Sequence, residues 1–279
     1  MESTTPSGVW ALRIGSLSLL LHRRNWLMCG LLTLLLTVLA TLAISLGSGK
    51  MGLQDVIATL LGNGSKLHEI IAFKIRMPRV AAAIVAGLAM GMAGCLIQTL
   101  VRNRLATPDM IGVNEGASLA VVGFSLYLTL GSWPWWASPL GAVLAAVALF
   151  TLCRRPGEQG YLFIVIGIAL SELLGAIGDF AMSTQPLVHL GSLYLWTMGH
   201  FAGVSYQTVN PIAMVLLALC PLMALVNRPL ALLRFGDATA QNLGIRVPLV
   251  QLGVLGLAIL VASLGTAIGG PVVFIAMAA

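Results

Sequence analysis

RMPRVAAAIVAGLAMGMAGCLIQTLVRNRLATPDMIGVNEGA, residues 76–117, contains an uncharged run from Val80 to Val101. A helix rises 1.5 Å per residue, so this run reaches roughly 33 Å, enough to cross a hydrocarbon core of about 30 Å. Arg76 and Arg79 stand before it, and Arg102 and Arg104 after it. An apolar stretch of this length, flanked by bases, reads as a membrane-spanning helix.

The rest of the chain repeats the pattern. Of 279 residues, 58% are hydrophobic and 9% charged, with a mean hydropathy of +0.98. Soluble domains carry about 25% charged residues, so this chain lacks the polar surface that water would require. Uncharged or nearly uncharged runs occur at 26–46, 80–101, 116–131, 135–153, 161–182, 209–226 and 247–268. The expectation is an all-α, polytopic transmembrane helix bundle with seven complete spans. Between the third and fourth runs, Trp133, Trp135 and Trp136 with Pro134 and Pro139 form an interfacial turn. The first run is too long for a signal-peptide core, so residues 1–25 read as a cytoplasmic N-terminal segment and 26–279 as the transmembrane domain.

The net charge of +6 follows the membrane rather than a nucleic acid. Arg13, Arg23, Arg24, Arg102, Arg104, Arg154, Arg155, Arg228, Arg234 and Arg246 occupy one set of alternate connections. Lys50, Lys66, Lys74, Arg76 and Arg79 share a single loop on the other side. The first set marks the cytoplasmic face and places the N-terminus inside. The scattered Cys29, Cys95, Cys153 and Cys220 read as packing residues, and no metal-ligand spacing is present.

Two connections carry structure of their own. In residues 51–62, Leu53, Val56, Ile57, Leu60 and Leu61 recur at helical spacing, which predicts an amphipathic helix on the outer surface. Between Arg228 and Arg246, Asp237 can cap a short helix through Thr239–Asn242, and Gly244 can end it in a left-handed turn. Such a helix, exposed inside the cell, could dock a soluble partner.

Within the spans, Gly87, Gly91 and Gly94 give the small-residue spacing that lets helices approach closely in lipid. That spacing means tight packing and by itself says nothing of transport. Intramembrane carboxylates cost about 2.5–3.5 kcal/mol each. Glu172 and Asp179 fall on nearly one face of the fifth run, with Ser171, Gly175 and Gly178 close by. This stripe either lines a pathway or packs Glu172 against a polar neighbour and brings Asp179 to the interface. His22, His68, His189 and His200 all lie outside the runs, and no nucleophile–base set is visible within them.

The opening stretch also resembles the FecCD-type permeases of bacterial ABC importers for ferric siderophores, haem and cobalamin. The shared pattern is R-x-P-R, a Gly/Ala-rich helix ending in Gln, then R-N-P-L-A-x-P-x-x-x-G-x-x-x-G-A. It is matched at Arg76, Pro78, Arg79, Gly87, Gly94, Gln98, Arg102, Asn103, Leu105, Ala106, Pro108, Gly112, Gly116 and Ala117. Arg104 stands where the pattern has proline. Further on, Ile166–Ser171, Leu195–Gly199, Gly236–Gly244 and Gly270–Phe274 resemble family segments in the family's order.

The resemblance implies a ten-span fold, of which this chain would be a C-terminally truncated part ending as an eighth span begins. It implies that Arg76 and Arg79 meet acidic residues of a periplasmic or lipid-anchored substrate-binding protein, although interfacial anchoring would explain them too. It implies that Gly236, Asp237, Ala240, Leu243 and Gly244 couple to a separate cytoplasmic ABC ATPase. ATP and magnesium would belong to that partner, leaving this subunit without a cofactor and without enzymatic activity. Ser171, Glu172 and Gly175 would line a path shared with a second copy or a sister permease. Ferric siderophore is the favoured cargo, with haem or cobalamin as alternatives. A secondary transporter driven by an ion gradient is a rival, resting on Glu172 alone. The setting would be the bacterial inner membrane.

Overall fold

The computed structural model describes residues 9–14, 17–46, 52–128, 133–153, 160–185, 187–272 and 275–278. It forms two compact units, residues 1–80 and 81–279.

The first unit opens with the one departure from helix, an antiparallel hairpin of β1 (Val9–Ile14) and β2 (Leu17–His22) that pairs Val9 with His22 and Ile14 with Leu17. The sequence reading expected no strand there, yet two apolar runs flank Gly15 and Ser16, a separation that favours hairpins. Helix α1 (Arg23–Ser45) follows. Next comes α2 (Leu53–Leu60), whose Asp55 carboxylate accepts the Gly52 N–H at 2.9 Å. The amphipathic reading of this segment is reflected in its packing. Val56 is buried with Ile44 and Ala72, whereas Ile57 and Leu61 are exposed. Helix α3 (Lys66–Glu69) leads through a π-helical segment, Ile70–Arg76, into α4 (Met77–Val101).

In the second unit, a 3₁₀ turn at Pro108–Ile111 precedes α5 (Val113–Gly123), which continues as a π-helical segment to Leu128. Then come α6 (Ala137–Leu152), α7 (Gly160–Ser183), α8 (Leu187–Thr197), α9 (Tyr206–Leu233), α10 (Asp237–Asn242) and α11 (Val247–Gly269). The described residues of the predicted runs are mostly helical. Five helices are long and apolar enough to cross a membrane: α1, the run Lys66–Val101, Val165–Ser183, α9 and α11; α6 is a shorter apolar helix. Helix α9 holds Pro211, Pro221 and Pro229 without ending, as membrane helices tolerate when neighbouring groups satisfy the freed carbonyls.

Helix α11 packs on α5, α6 and α9, and α5 packs on α6 and α7. The α5–α6 crossing is the tightest. A Cβ on Gly141 would lie 2.1 Å from the Gly116 carbonyl oxygen, and one on Gly116 would lie 2.8 Å from that of Gly141. Glycine is required at both because backbone meets backbone. Residues 131–132 of the expected tryptophan turn lie outside the described ones. Of its aromatics, Trp133 packs edge-on to Trp196 at 5.7 Å, and Trp136, itself exposed, packs edge-on to Phe124 at 5.0 Å.

The element expected to begin at Gly269 is a turn instead. Helix α11 runs through Gly269, Gly270 adopts φ +84°, and a 3₁₀ turn follows at Ile275–Ala278. That turn lies against α4. The Ala276 carbonyl oxygen would sit 2.0 Å from a Cβ on Gly94, and Gln98 Nε2 donates to the carbonyls of Ala276 at 3.1 Å and Met277 at 3.3 Å. Gly94 is therefore a close-approach residue. Gly87 is not, since a Cβ there would meet nothing within 4 Å. On this part of α4 it is Ala86, Ala89 and Met90 that receive Gly265 of α11.

Candidate functional site

The short helix α10 forms where the sequence places it, but by different means. Its N-cap is Gly236, at φ +105° and with no side-chain cap, and Asp237 is the first helical residue. The expected Asp237 cap is thus corrected: its carboxylate points away from the α10 backbone. Asp237 Oδ1 accepts from Arg102 Nη2 at 2.7 Å, and Oδ2 accepts from Gln251 Nε2 of α11 at 3.4 Å. An acid in the first turn still complements the helix dipole. Gly244, at φ +84°, ends the segment in the left-handed region as expected. Ala240 is fully buried with Leu230, Leu233 and Val247, whereas Leu243 and Phe235 are exposed. One small residue roots the helix; its outward residues are mostly polar, with Phe235 exposed before it and Leu243 exposed after it.

Arg102 reaches this helix from the end of α4. Its φ is +58°, and the Asn103 N–H bonds back to the Gln98 carbonyl at 3.1 Å. That is a Schellman ending with arginine at the position glycine usually takes, at a cost of about 1–2 kcal/mol. The guanidinium also donates to the Leu233 carbonyl at the end of α9. Next in the chain, Asn103 Oδ1 accepts the Leu105 N–H at 2.9 Å. This side-chain turn shapes the corner without the proline whose place Arg104 takes. Pro108 opens the 3₁₀ turn, and Gly112, at φ +78°, closes it against Ser171.

The predicted stripe on α7 lies partly against α5. Ser171 donates to the Gly167 carbonyl at 2.9 Å, and Glu172 is exposed. Gly175 faces Glu115, whose Oε2 would be 3.3 Å from a Cβ there. Sequence reasoning missed Glu115. Its signal was an acid inside the Gly112–Gly116 motif, at the mouth of an apolar run. Glu115 lies within electrostatic range of Asp179, Glu172 and Asp109, so four carboxylates share this side of α5 and α7. A second network was also missed: Thr266 Oγ1 donates to buried Asn114 Oδ1 at 2.9 Å, and Asn114 Nδ2 donates to Asp109 Oδ1 at 2.5 Å. In the connection before α5, burial raises the Asp109 carboxyl to about 6 against the opposing Asn114 hydrogen bond.

Other expectations separate. Arg76 is buried, donating from Nη1 to the Ile44 carbonyl and, at 3.1 Å, to that of Ser45. It ties off the end of α1, and Arg79 is exposed. Far along α11 from α10, a cavity of about 390 Å³ is lined by Trp133, Trp135, Trp196 and His200 among others. The His200 N–H bonds to the Gly269 carbonyl at 2.7 Å, and Gly199 and Gly270 allow Trp196–Gly199 to meet Gly269–Pro271 backbone to backbone. Among the described residues, no group of three His, Cys, Asp or Glu could hold a metal ion.

Comparisons with known proteins find several similar chains. The achromobactin transport system permease protein CbrC of Dickeya dadantii is 32% identical over 250 residues, covering 88% of this chain and 72% of its own. The ferric enterobactin transport system permease protein FepG of Escherichia coli is 29% identical over 92% of this chain and 78% of its own. The hemin transport system permease protein HmuU of Yersinia pestis is 31% identical over 90% and 76%. A solved inward-facing ABC transporter of metal-chelate type shares the fold, with a TM-score of 0.71 at 23% identity over 91% of this chain and 79% of that one. The model of the FecCD transport family matches residues 34–279, and the chain belongs to that family, as a multi-pass membrane permease of an ABC importer.

Proposed function

We propose that this permease carries a ferric-siderophore-type chelate inward across the bacterial cytoplasmic membrane, with its N-terminus inside. Haem and cobalamin are the alternative cargoes; relatives named for hemin and vitamin B12 import are similar to the chain. The observation that carries the mechanism is α10, a short helix rooted by Ala240 with Leu243 and Phe235 exposed. A short exposed helix on a fixed base, with an apolar residue open at each end, suits a groove in a soluble partner, and a cytoplasmic ABC ATPase holding ATP and magnesium is the partner proposed. Closure of two such ATPases would draw paired α10 helices together and shift the bundle between two states. This requires partner binding that differs in strength between those states. Ser171, Glu172 and Gly175 on α7 would border the path, shared with a second copy or a sister permease. Exposed Arg79 would meet a periplasmic or lipid-anchored binding protein through acids on its surface.

The test is copurification of the ATPase with the full-length permease, followed by Leu243→Glu with Gly244→Arg. The expected result is loss of both ATPase assembly and uptake. Survival of both would remove the coupling role from α10. Uptake that persists without ATP but collapses with the proton gradient would favour the secondary-transport alternative.

A further inference from the structure

We infer that Arg102 is a positioning residue for α10, setting the angle at which the short helix meets its partner. The inference rests on reading α10 as the docking helix. Arg102 is the only non-glycine residue with positive φ among those described. Glycine would end α4 there without strain, so the side chain has to be explained by what it reaches. Its Nη2 meets two acceptors on different elements, the Leu233 carbonyl closing α9 and Asp237 Oδ1 opening α10. Asp237 is left available for this because Gly236 occupies the capping position. The other Asp237 oxygen takes Gln251 Nε2 from α11. Four helices, α4, α9, α10 and α11, therefore converge on one carboxylate–guanidinium node.

The node lies beside the α10 root. Ala240 is held in the core below it, while Leu243 stands exposed beyond. Fixed only at Ala240, a helix of six residues can pivot; fixed also at Asp237, it cannot. The Arg102 and Asp237 side chains are 46% and 48% exposed, so the pair adds little to fold stability. Its effect is on direction, which can be measured apart from folding.

Arg102→Gly keeps the left-handed ending of α4 and deletes only the guanidinium. In the full-length permease, reconstituted with its ATPase and binding protein, the variant should melt no lower than wild type. A spin label at Thr239 should become more mobile, and uptake should fall about tenfold, within the range commanded by positions that link two sites. Exchanging the pair, Arg102→Asp with Asp237→Arg, should restore uptake and immobilise the label again. Wild-type uptake in Arg102→Gly would overturn the inference, and if the ATPase still copurified, α10 would stand as the docking helix. An exchanged pair that restores neither readout would overturn the pairing. Absence of the ATPase from the wild-type preparation would overturn the docking reading and the inference with it.

Discussion

Helices α1 and α11 are each 23 residues long and similarly apolar, yet the most apolar stretch of α1 has none of its residues buried while that of α11 is more than half buried. Their hydroxyl groups follow this division in part: Ser263 Oγ of α11 bonds back to the Leu260 carbonyl at 2.7 Å and Thr266 Oγ1 to that of Ala262 at 3.2 Å, but Thr266 also reaches a second helix. In α1, Thr33, Thr37, Thr41 and Ser45 each donate to the carbonyl four residues back, at 2.7–2.8 Å. The ladder closes on itself, so that side of the helix can face lipid with no polar group unpaired. In α11, Thr266 reaches across to Asn114, and the Ser263 carbonyl receives Ser138 Oγ at 3.3 Å. Hydropathy puts both helices in the membrane. The one hydroxyl that also reaches another helix, Thr266, belongs to the more buried of the two.

The contrast can be broken most forcefully at a glycine. Gly141→Val would drive a side chain into the Gly116 carbonyl and Ala120 Cβ and force α5 from α6. We expect a loss of about 3 kcal/mol or more, read as the absence of a monodisperse folded peak in detergent. Gly30→Val in α1 meets nothing within 4 Å and should leave that peak unchanged. Next in size, Thr266→Val strands the Asn114 amide oxygen in the core and should cost about 1–3 kcal/mol, measured by thermal unfolding.

Asp109, at the far end of the same network, sharpens the contrast through pH. Its carboxyl is raised from 3.8 to about 6, so the folded chain holds this proton more tightly than the unfolded chain does. The stabilisation is complete below about pH 4 and is lost as pH rises through 6. Asp109→Asn should therefore gain about 1–2 kcal/mol at pH 7 and show a smaller fall in melting temperature between pH 4 and pH 7. The smallest effect belongs to α1, where Thr37→Val should stay within about 0.5 kcal/mol.

These sites also mark how far sequence reading reaches. The apolar runs were legible because length and apolarity are additive properties of a local window, and five of the helices they form are long and apolar enough to cross a membrane. Short α10 was legible from Gly244 and the polar residues ahead of it. Asp237 was misread as a cap because local rules cannot see Arg102, 135 residues away, competing for the same carboxylate. Gly87 and Gly94 look alike in a motif, and only the return of Ala276 singles out the second. Helix α8, with 11 residues, is too short to register as a span, although Leu193 and Trp196 are buried with Val121, Val122 and Ala137. Glu115 is hard to read from sequence because it stands one residue before the uncharged run that opens at Gly116.

The seam at Gly94 and Gln98 has a further consequence for synthesis. Its two halves are 178 residues apart in the chain, and ribosomes add roughly 5–20 residues per second. For roughly ten to forty seconds, then, α4 must wait in the translocating membrane with a bare notch and an amide that has no carbonyl to hold. A nascent permease is most exposed to wrong helix partners during that interval, and whatever shields the notch in that time helps to decide how much of the chain matures.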